Sequence, residues 1–267
     1  MIRLFKRSLA QARYLLIAAA FLLTGVQIVI VGQASQVERT QSFGRLAELL
    51  PGFLQRGLGT RTMLLASFKG TVSLGYFHPV VCLVVVVVAM YFTTEIAHEV
   101  ESGLVDVELA RAVPRYRLVV RSIVLAQLFA VAALTLMGIG TSFGARLFDA
   151  DAMELPDIAL RFRLLVNLLA VASCFSGYAL FVSSVSKRWS TAFATASLTA
   201  VVAYLVDFLA IAWRPMQVLE WVSPFHYYQA LDVIAGEAQM TRNLVVLFAA
   251  AAVLMAAGAW QFQRRDL

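Results

Sequence analysis

Six apolar runs, at about residues 14–31, 79–94, 118–139, 164–182, 191–212 and 243–260, constrain this chain more than any other feature. Each is close to the ~20 apolar residues that a helix needs to cross a hydrocarbon core of about 30 Å. In hydrocarbon the backbone must satisfy its own hydrogen bonds, so separate runs of this length can span only as helices. Composition agrees. The 267 residues are 61% hydrophobic and only 14% charged, whereas charged side chains make up about a quarter of soluble proteins. The expected fold is all-α, a polytopic membrane protein of six transmembrane helices in one transmembrane domain over residues 1–267.

The charges between the runs set an orientation. Residues 1–13 carry Ile2, Phe5, Leu9 and Ala12 at helical spacing, with Arg3, Lys6, Arg7 and Arg13 around them. This pattern predicts a basic amphipathic helix on a membrane surface. No small-residue cleavage pattern follows, so the first run reads as a retained anchor. Six spans place both ends on one side. Choosing the cytoplasm assigns inside Arg3, Lys6, Arg7, Arg13, Arg111, Arg115, Arg117, Arg121, Lys187, Arg188, Arg264 and Arg265, twelve of the 22 basic residues, in line with the positive-inside rule. The basic residues flank apolar runs and form no patch interleaved with aromatics, so the net charge of +6 does not predict nucleic-acid binding. Cys82 and Cys174 lie inside apolar runs, where a thiol acts as a small hydrophobe, and neither a disulfide nor a metal site is expected.

Between the spans, residues 32–77 are expected to form short helices on the outer face, interrupted at Pro51-Gly52. His78-Pro79 suits the first turn of the second span. An acidic outer loop over 140–163 holds Asp149, Asp151, Glu154 and Asp157. The fourth span is rich in Ala, Ser and Gly, which lets helices approach closely in lipid. Asp207 falls within the fifth span. A carboxylate there faces a polar cavity or partner and is a functional candidate, or else it pairs with Tyr204 or a neighbouring Ser and holds the bundle. Ser223, Pro224, Phe225 and Tyr227 open a segment that fits a short Ser-capped helix dipping into the outer leaflet and also an aromatic anchor of Phe225, Tyr227 and Tyr228 at the interface.

The stretch 95–111 is the one strongly polar interruption that also has helical spacing. Glu95, Glu99, Glu101, Asp106 and Glu108 precede a basic cluster, while Val100, Leu104 and Val107 recur at three- and four-residue steps. Such a helix can dock into a groove on a cytoplasmic partner; it also fits a solvated loop between spans. The order Glu99, Glu101, Gly103, Asp106, Leu109, Ala110, Val113, Arg115 resembles the loop after the second span in permease subunits of type-2 ATP-binding-cassette (ABC) transporters. Leu104 stands where that family usually has Thr, Ala112 where it has Pro, and Pro114 comes two positions late. The resemblance extends to His78-Pro79, to the closing Phe262-Gln263-Arg264-Arg265-Asp266-Leu267 and to 223–227, which it implies as an outer gate (Ser223, Pro224, Phe225, Tyr227) that closes the outer end of the pathway.

The resemblance implies a permease whose first cytoplasmic loop (Glu95, Glu99, Glu101, Gly103, Asp106, Glu108, Arg115) and N-terminal helix contact a separate nucleotide-binding ATPase subunit. It also implies a second permease, most simply a second copy of this chain, and residence in the cytoplasmic (plasma or inner) membrane. The chain has no Gly-x-x-x-x-Gly-Lys-Ser/Thr, so ATP and Mg²⁺ are expected in the partner; this chain is expected to bind no cofactor and to be no enzyme. Two rivals stand beside an ATP-driven exporter. An intramembrane hydrolase needs a histidine at the depth of Ser173 and Ser176, and His78, His98 and His226 all lie outside the apolar runs. A non-transporting scaffold of the same fold needs nothing further. The mainly apolar spans suit lipids, hydrophobic drugs or amphipathic peptides as cargo better than small ions.

Overall fold

The computed structural model describes residues 2–40, 67–110, 114–150 and 153–265. Among them there is helix and no strand, and six helices are long and apolar enough to cross a membrane. In chain order the elements are α1 (Ile2–Arg39), α2 (Phe68–Leu74), a 3₁₀ turn (Gly75–Phe77), α3 (Pro79–Glu101), α4 (Leu104–Leu109), α5 (Arg115–Leu147), α6 (Ile158–Val185) and α7 (Trp189–Ala212). Three 3₁₀ turns follow (Arg214–Val218, Glu220–Val222, Pro224–Tyr227), then α8 (Ala230–Ala235) and α9 (Met240–Arg264).

All six spans stand where the apolar runs put them, but several helices outlast the hydrocarbon. The amphipathic segment at residues 2–13 is the first part of α1, continuous with the first span rather than a separate surface helix. Nothing between Arg13 and Tyr14 breaks a helix, since neither proline nor glycine intervenes. At 38 residues, α1 is about 57 Å long at 1.5 Å per residue, well beyond the bilayer core. Its far end, over 32–39, packs through Val31 and Ala34 on Phe68, Val72 and Ala145. Likewise α5 continues to Leu147 through residues expected to begin an outer loop. Of the short outer helices expected over 32–77, the described residues contain α2, capped by the Ser67 hydroxyl accepting from the Gly70 amide at 3.0 Å. The expected helical stretches at 46–50 and 63–66, and the Pro51-Gly52 break, lie outside the described residues.

Polar contacts define two ends of an up-and-down bundle. The start of α1, the end of α3, the starts of α5 and α7, and the ends of α6 and α9 meet at one end, through Ser8–Glu95, Glu101–Trp189, Arg115–Arg265 and Arg265–Ser184. The opposite end gathers α2, the segment 213–239 and the far ends of α1 and α5, through Gln27–Val72, Tyr228–Tyr76 and Arg39–Phe148. The central helix is α6, which packs most extensively on α9 and α3. Its small residues allow this. A Cβ on Gly177 would lie 2.9 Å from the Ala251 carbonyl oxygen, and one on Gly258 of α9 would lie 3.0 Å from the Phe181 amide. A second close crossing joins α1 to α5, where Gly140 and Gly144 form a small-xxx-small pair. A Cβ on Gly140 would come 3.0 Å from the Thr24 carbonyl oxygen.

Candidate functional site

The turn after α3 builds the first candidate site. α3 ends at Ser102, and Gly103 takes φ +68, a left-handed conformation that favours glycine. The chain reverses there into α4, whose Val105 is buried with Ile96, Leu118, Leu180 and Phe262 from α3, α5, α6 and α9. The turn is therefore fixed to four spans. Glu101, Ser102 and Asp106 stand exposed on it. The Glu101 carboxylate accepts from the Trp189 amide at 2.8 Å and so satisfies a free donor at the start of α7. Trp189 also stacks on Phe193, with ring centroids 5.4 Å apart.

Glu95 and Glu99 do something different from what their place in an acidic run suggests. They are not part of the exposed surface. Glu99 is buried and accepts from Arg121 Nη2 at 2.8 Å, and both side chains are almost fully enclosed, at 2% and 1% exposure. Glu95 is buried too and accepts from the Ser8 hydroxyl at 2.7 Å. These two carboxylates therefore tie α3 to α5 and to the basic first turns of α1. Four residues apart, they share one helix face, whereas Glu101, two positions on, points the other way.

Arg115 faces the bundle as well, donating from Nη1 to the carbonyls of Gln263 at 3.1 Å and Arg265 at 2.6 Å. Arg265 donates to the Ser184 carbonyl at 3.1 Å. Lys6 and Arg13 are exposed and Arg7 is half-buried; Arg13 lies over the Tyr14 ring, 4.6 Å from its centroid. The side chains of Arg3 and Glu108 lie outside the described residues.

Midway along the bundle, Gln127 of α5 joins the two serines of α6: Ser173 donates to Oε1 at 2.7 Å and Nε2 donates to Ser176 at 3.2 Å. Ser173 and Ser176 thus serve an interhelical amide, and no histidine faces them among the described residues. The signal that could have revealed this was Gln127 itself, an amide inside an apolar run. No group of three or more His, Cys, Asp or Glu side chains converges among the described residues.

At the other end the segment 213–239 folds into the mouth of the bundle. Ser223 caps its 3₁₀ turn by accepting from the Phe225 amide at 3.2 Å and donates to the Ala203 carbonyl at 2.8 Å. Pro224 opens the turn. Phe225 is buried between Phe175 and Tyr204, with centroids at 5.3 and 5.2 Å. Tyr227 is half-buried and donates to the Trp221 carbonyl. Tyr228 is no interfacial anchor: it is buried, its hydroxyl donates to the Tyr76 carbonyl at 2.9 Å, and its own carbonyl accepts from Asn167. Burial raises the Tyr228 phenol well above its ordinary range, so it remains a donor.

Asp207 belongs to this end too. It is half-buried on the bundle-facing stripe of α7 that includes Ala200, Ala203 and Ala210. It lies five residues before the end of α7, about 7.5 Å along the axis, and therefore near the mouth and not at mid-membrane. Neither Tyr204 nor a serine hydrogen-bonds to it among the described residues.

A bundle of six spans, with a fixed polar turn at one end and a folded-in segment closing the other, defines a multi-pass α-helical membrane protein. The family model described as "Multidrug efflux system permease Rv1217c, C-terminal domain" matches residues 41–263, and the chain belongs to that family. The match agrees with the resemblance to ABC permease subunits. No curated protein matches, and no solved structure does.

Proposed function

We propose that this chain is the membrane-spanning subunit of an ATP-driven exporter, in which two copies enclose the pathway and each meets a nucleotide-binding subunit at the turn after α3. The match of residues 41–263 to an efflux permease family carries this reading. The turn supports the docking role because Glu101 and Asp106 stand exposed on a structure anchored to four spans, so a push on it moves the bundle. The exposed basic residues Lys6 and Arg13 of α1 extend the same surface. Both ends of the described chain then lie in the cytoplasm, in the plasma or inner membrane. ATP and Mg²⁺ bind in the partner, which performs the hydrolysis, and this chain holds no cofactor.

Cargo enters the reading through the family description and the apolar spans: hydrophobic drugs, lipids or amphipathic peptides. In an E101K/D106K variant, affinity purification of the permease from cells expressing the whole system is expected to lose the ATPase subunit that accompanies the unaltered chain. The variant removes the Glu101–Trp189 contact but leaves the Ser8–Glu95 and Arg121–Glu99 ties in place, so its helical circular dichroism is expected to match the unaltered chain. An ATPase retained in full by that variant would rule out docking at the turn.

A further inference from the structure

A cavity of about 630 Å³ opens between the second turn of α6 and the start of α9, at the end opposite Glu99. Its rim carries Arg163 and Arg242, both exposed and without an ion-pair or hydrogen-bond partner among the described residues. Among the described residues its lining holds no acidic side chain, although Glu237 lies in the chain between the lining residues Gly236 and Ala238. Arg161, two residues before Arg163 on α6, shows the contrast: it is held by the Pro156 carbonyl at 2.8 Å and the Ser142 hydroxyl at 3.0 Å. The rim also holds the Thr241 hydroxyl, while Val233 and Leu244 supply an apolar floor. Both arginines sit within the first two turns of spanning helices, the level at which lipid headgroups meet a bundle.

We propose that this cavity binds a phosphate group, gripped between the Arg163 and Arg242 guanidiniums, which match phosphate oxygens in geometry as well as in charge. Two sources share this chemistry, the headgroup of an anionic lipid and free phosphate. The apolar floor beneath the cationic rim suits an amphipathic ligand. Arg163 and Arg242 both line this cleft, so a phosphate bound there offsets the repulsion between two like charges. The site is independent of the ATPase reading, because it lies at the other end of the bundle.

The test uses the full chain in neutral detergent, with native mass spectrometry titrating phosphatidylglycerol and diacylglycerol against the unaltered protein, R163Q/R242Q and R146Q. Arg146 is an exposed arginine in the last turn of α5 at the same end. The double variant is expected to bind phosphatidylglycerol at least about tenfold more weakly, as the loss of charge-assisted hydrogen bonds implies; R146Q is expected to match the unaltered chain. Inorganic phosphate that displaces the lipid at millimolar concentration shows that the free ion suffices, and failure to displace it assigns the site to the lipid. An R163K/R242K variant keeps both charges without the planar forks and is expected to bind at an intermediate level, which separates recognition from a folding defect. Equal lipid binding by the unaltered and R163Q/R242Q proteins, or equal binding of diacylglycerol, would overturn the proposal.

Discussion

Replacing Glu99 with Leu takes from the Arg121 guanidinium, at 1% exposure, the carboxylate it donates to at 2.8 Å. Breaking a buried ion pair from one side costs about 3–5 kcal/mol, because the surviving charge has lost its partner without regaining water. Replacing both, as E99L/R121M, removes the charge as well as its partner. That exchange is often neutral or better when the apolar residues fill the same volume. The two single variants should therefore each fall by about 3 kcal/mol or more, the double variant by about 1 or less, giving a coupling of several kcal/mol. The assay is equilibrium unfolding of the purified chain in mixed micelles of rising SDS content, followed by tryptophan fluorescence and helical circular dichroism. If the single losses stay below about 1 kcal/mol and simply add in the double variant, the pair is solvated and the enclosed layer between α3 and α5 does not exist. The same reasoning bars Glu99 as a probe of ATPase docking, since its loss destabilises the bundle itself.

Gly144→Val places branched carbon where a Cβ alone would meet the Ile28 Cα and the Val31 Cβ at 3.2 Å. It should cost about 1–3 kcal/mol by overpacking in the same unfolding assay, while Ala at Gly138, whose added Cβ would meet only Leu165 at an ordinary 3.6 Å, should be nearly silent. Gly103→Ala meets nothing within 4 Å, so its cost is conformational alone, about 1–2 kcal/mol for a left-handed residue. Gly103→Asn should recover part of that, because Asn tolerates this region better. Equal stabilities for the Ala, Asn and Gly forms would mean that the turn has no left-handed residue.

The six spans were legible because apolar length is a one-dimensional signal: a bilayer reads it without reference to the rest of the chain. Helix ends were not, because residues 32–39 and 140–147 are too polar for hydrocarbon yet hold no proline, and their glycines (Gly32, Gly140, Gly144) sit at close packing contacts, so α1 and α5 run on. The roles of Glu95 and Glu99 were hidden for another reason. Their acidic run reads as surface, and only the partners Ser8 and Arg121, remote in sequence, turn them inward. A sharper look at helix phase would have separated Glu101 from Glu99. Gly140 and Gly144 could have been recognised as a packing pair, had the third span not been ended at residue 139. Asp207 stands out in the sequence as a carboxylate within an apolar run, but its depth depends on the folded-in segment whose Ser223 and Gln217 reach α7 at Ala203 and Ala210.

Movement of cargo through this bundle under the action of a separate ATPase, as proposed above, is tested most directly in inside-out vesicles holding the chain with its ATPase subunit, by following uptake of a fluorescent hydrophobic drug on adding ATP and Mg²⁺. Uptake that requires ATP, this chain and the ATPase together, and that fails in E101K/D106K, is the predicted result. Uptake that proceeds without ATP or without the ATPase, and equally in the variant, would contradict it.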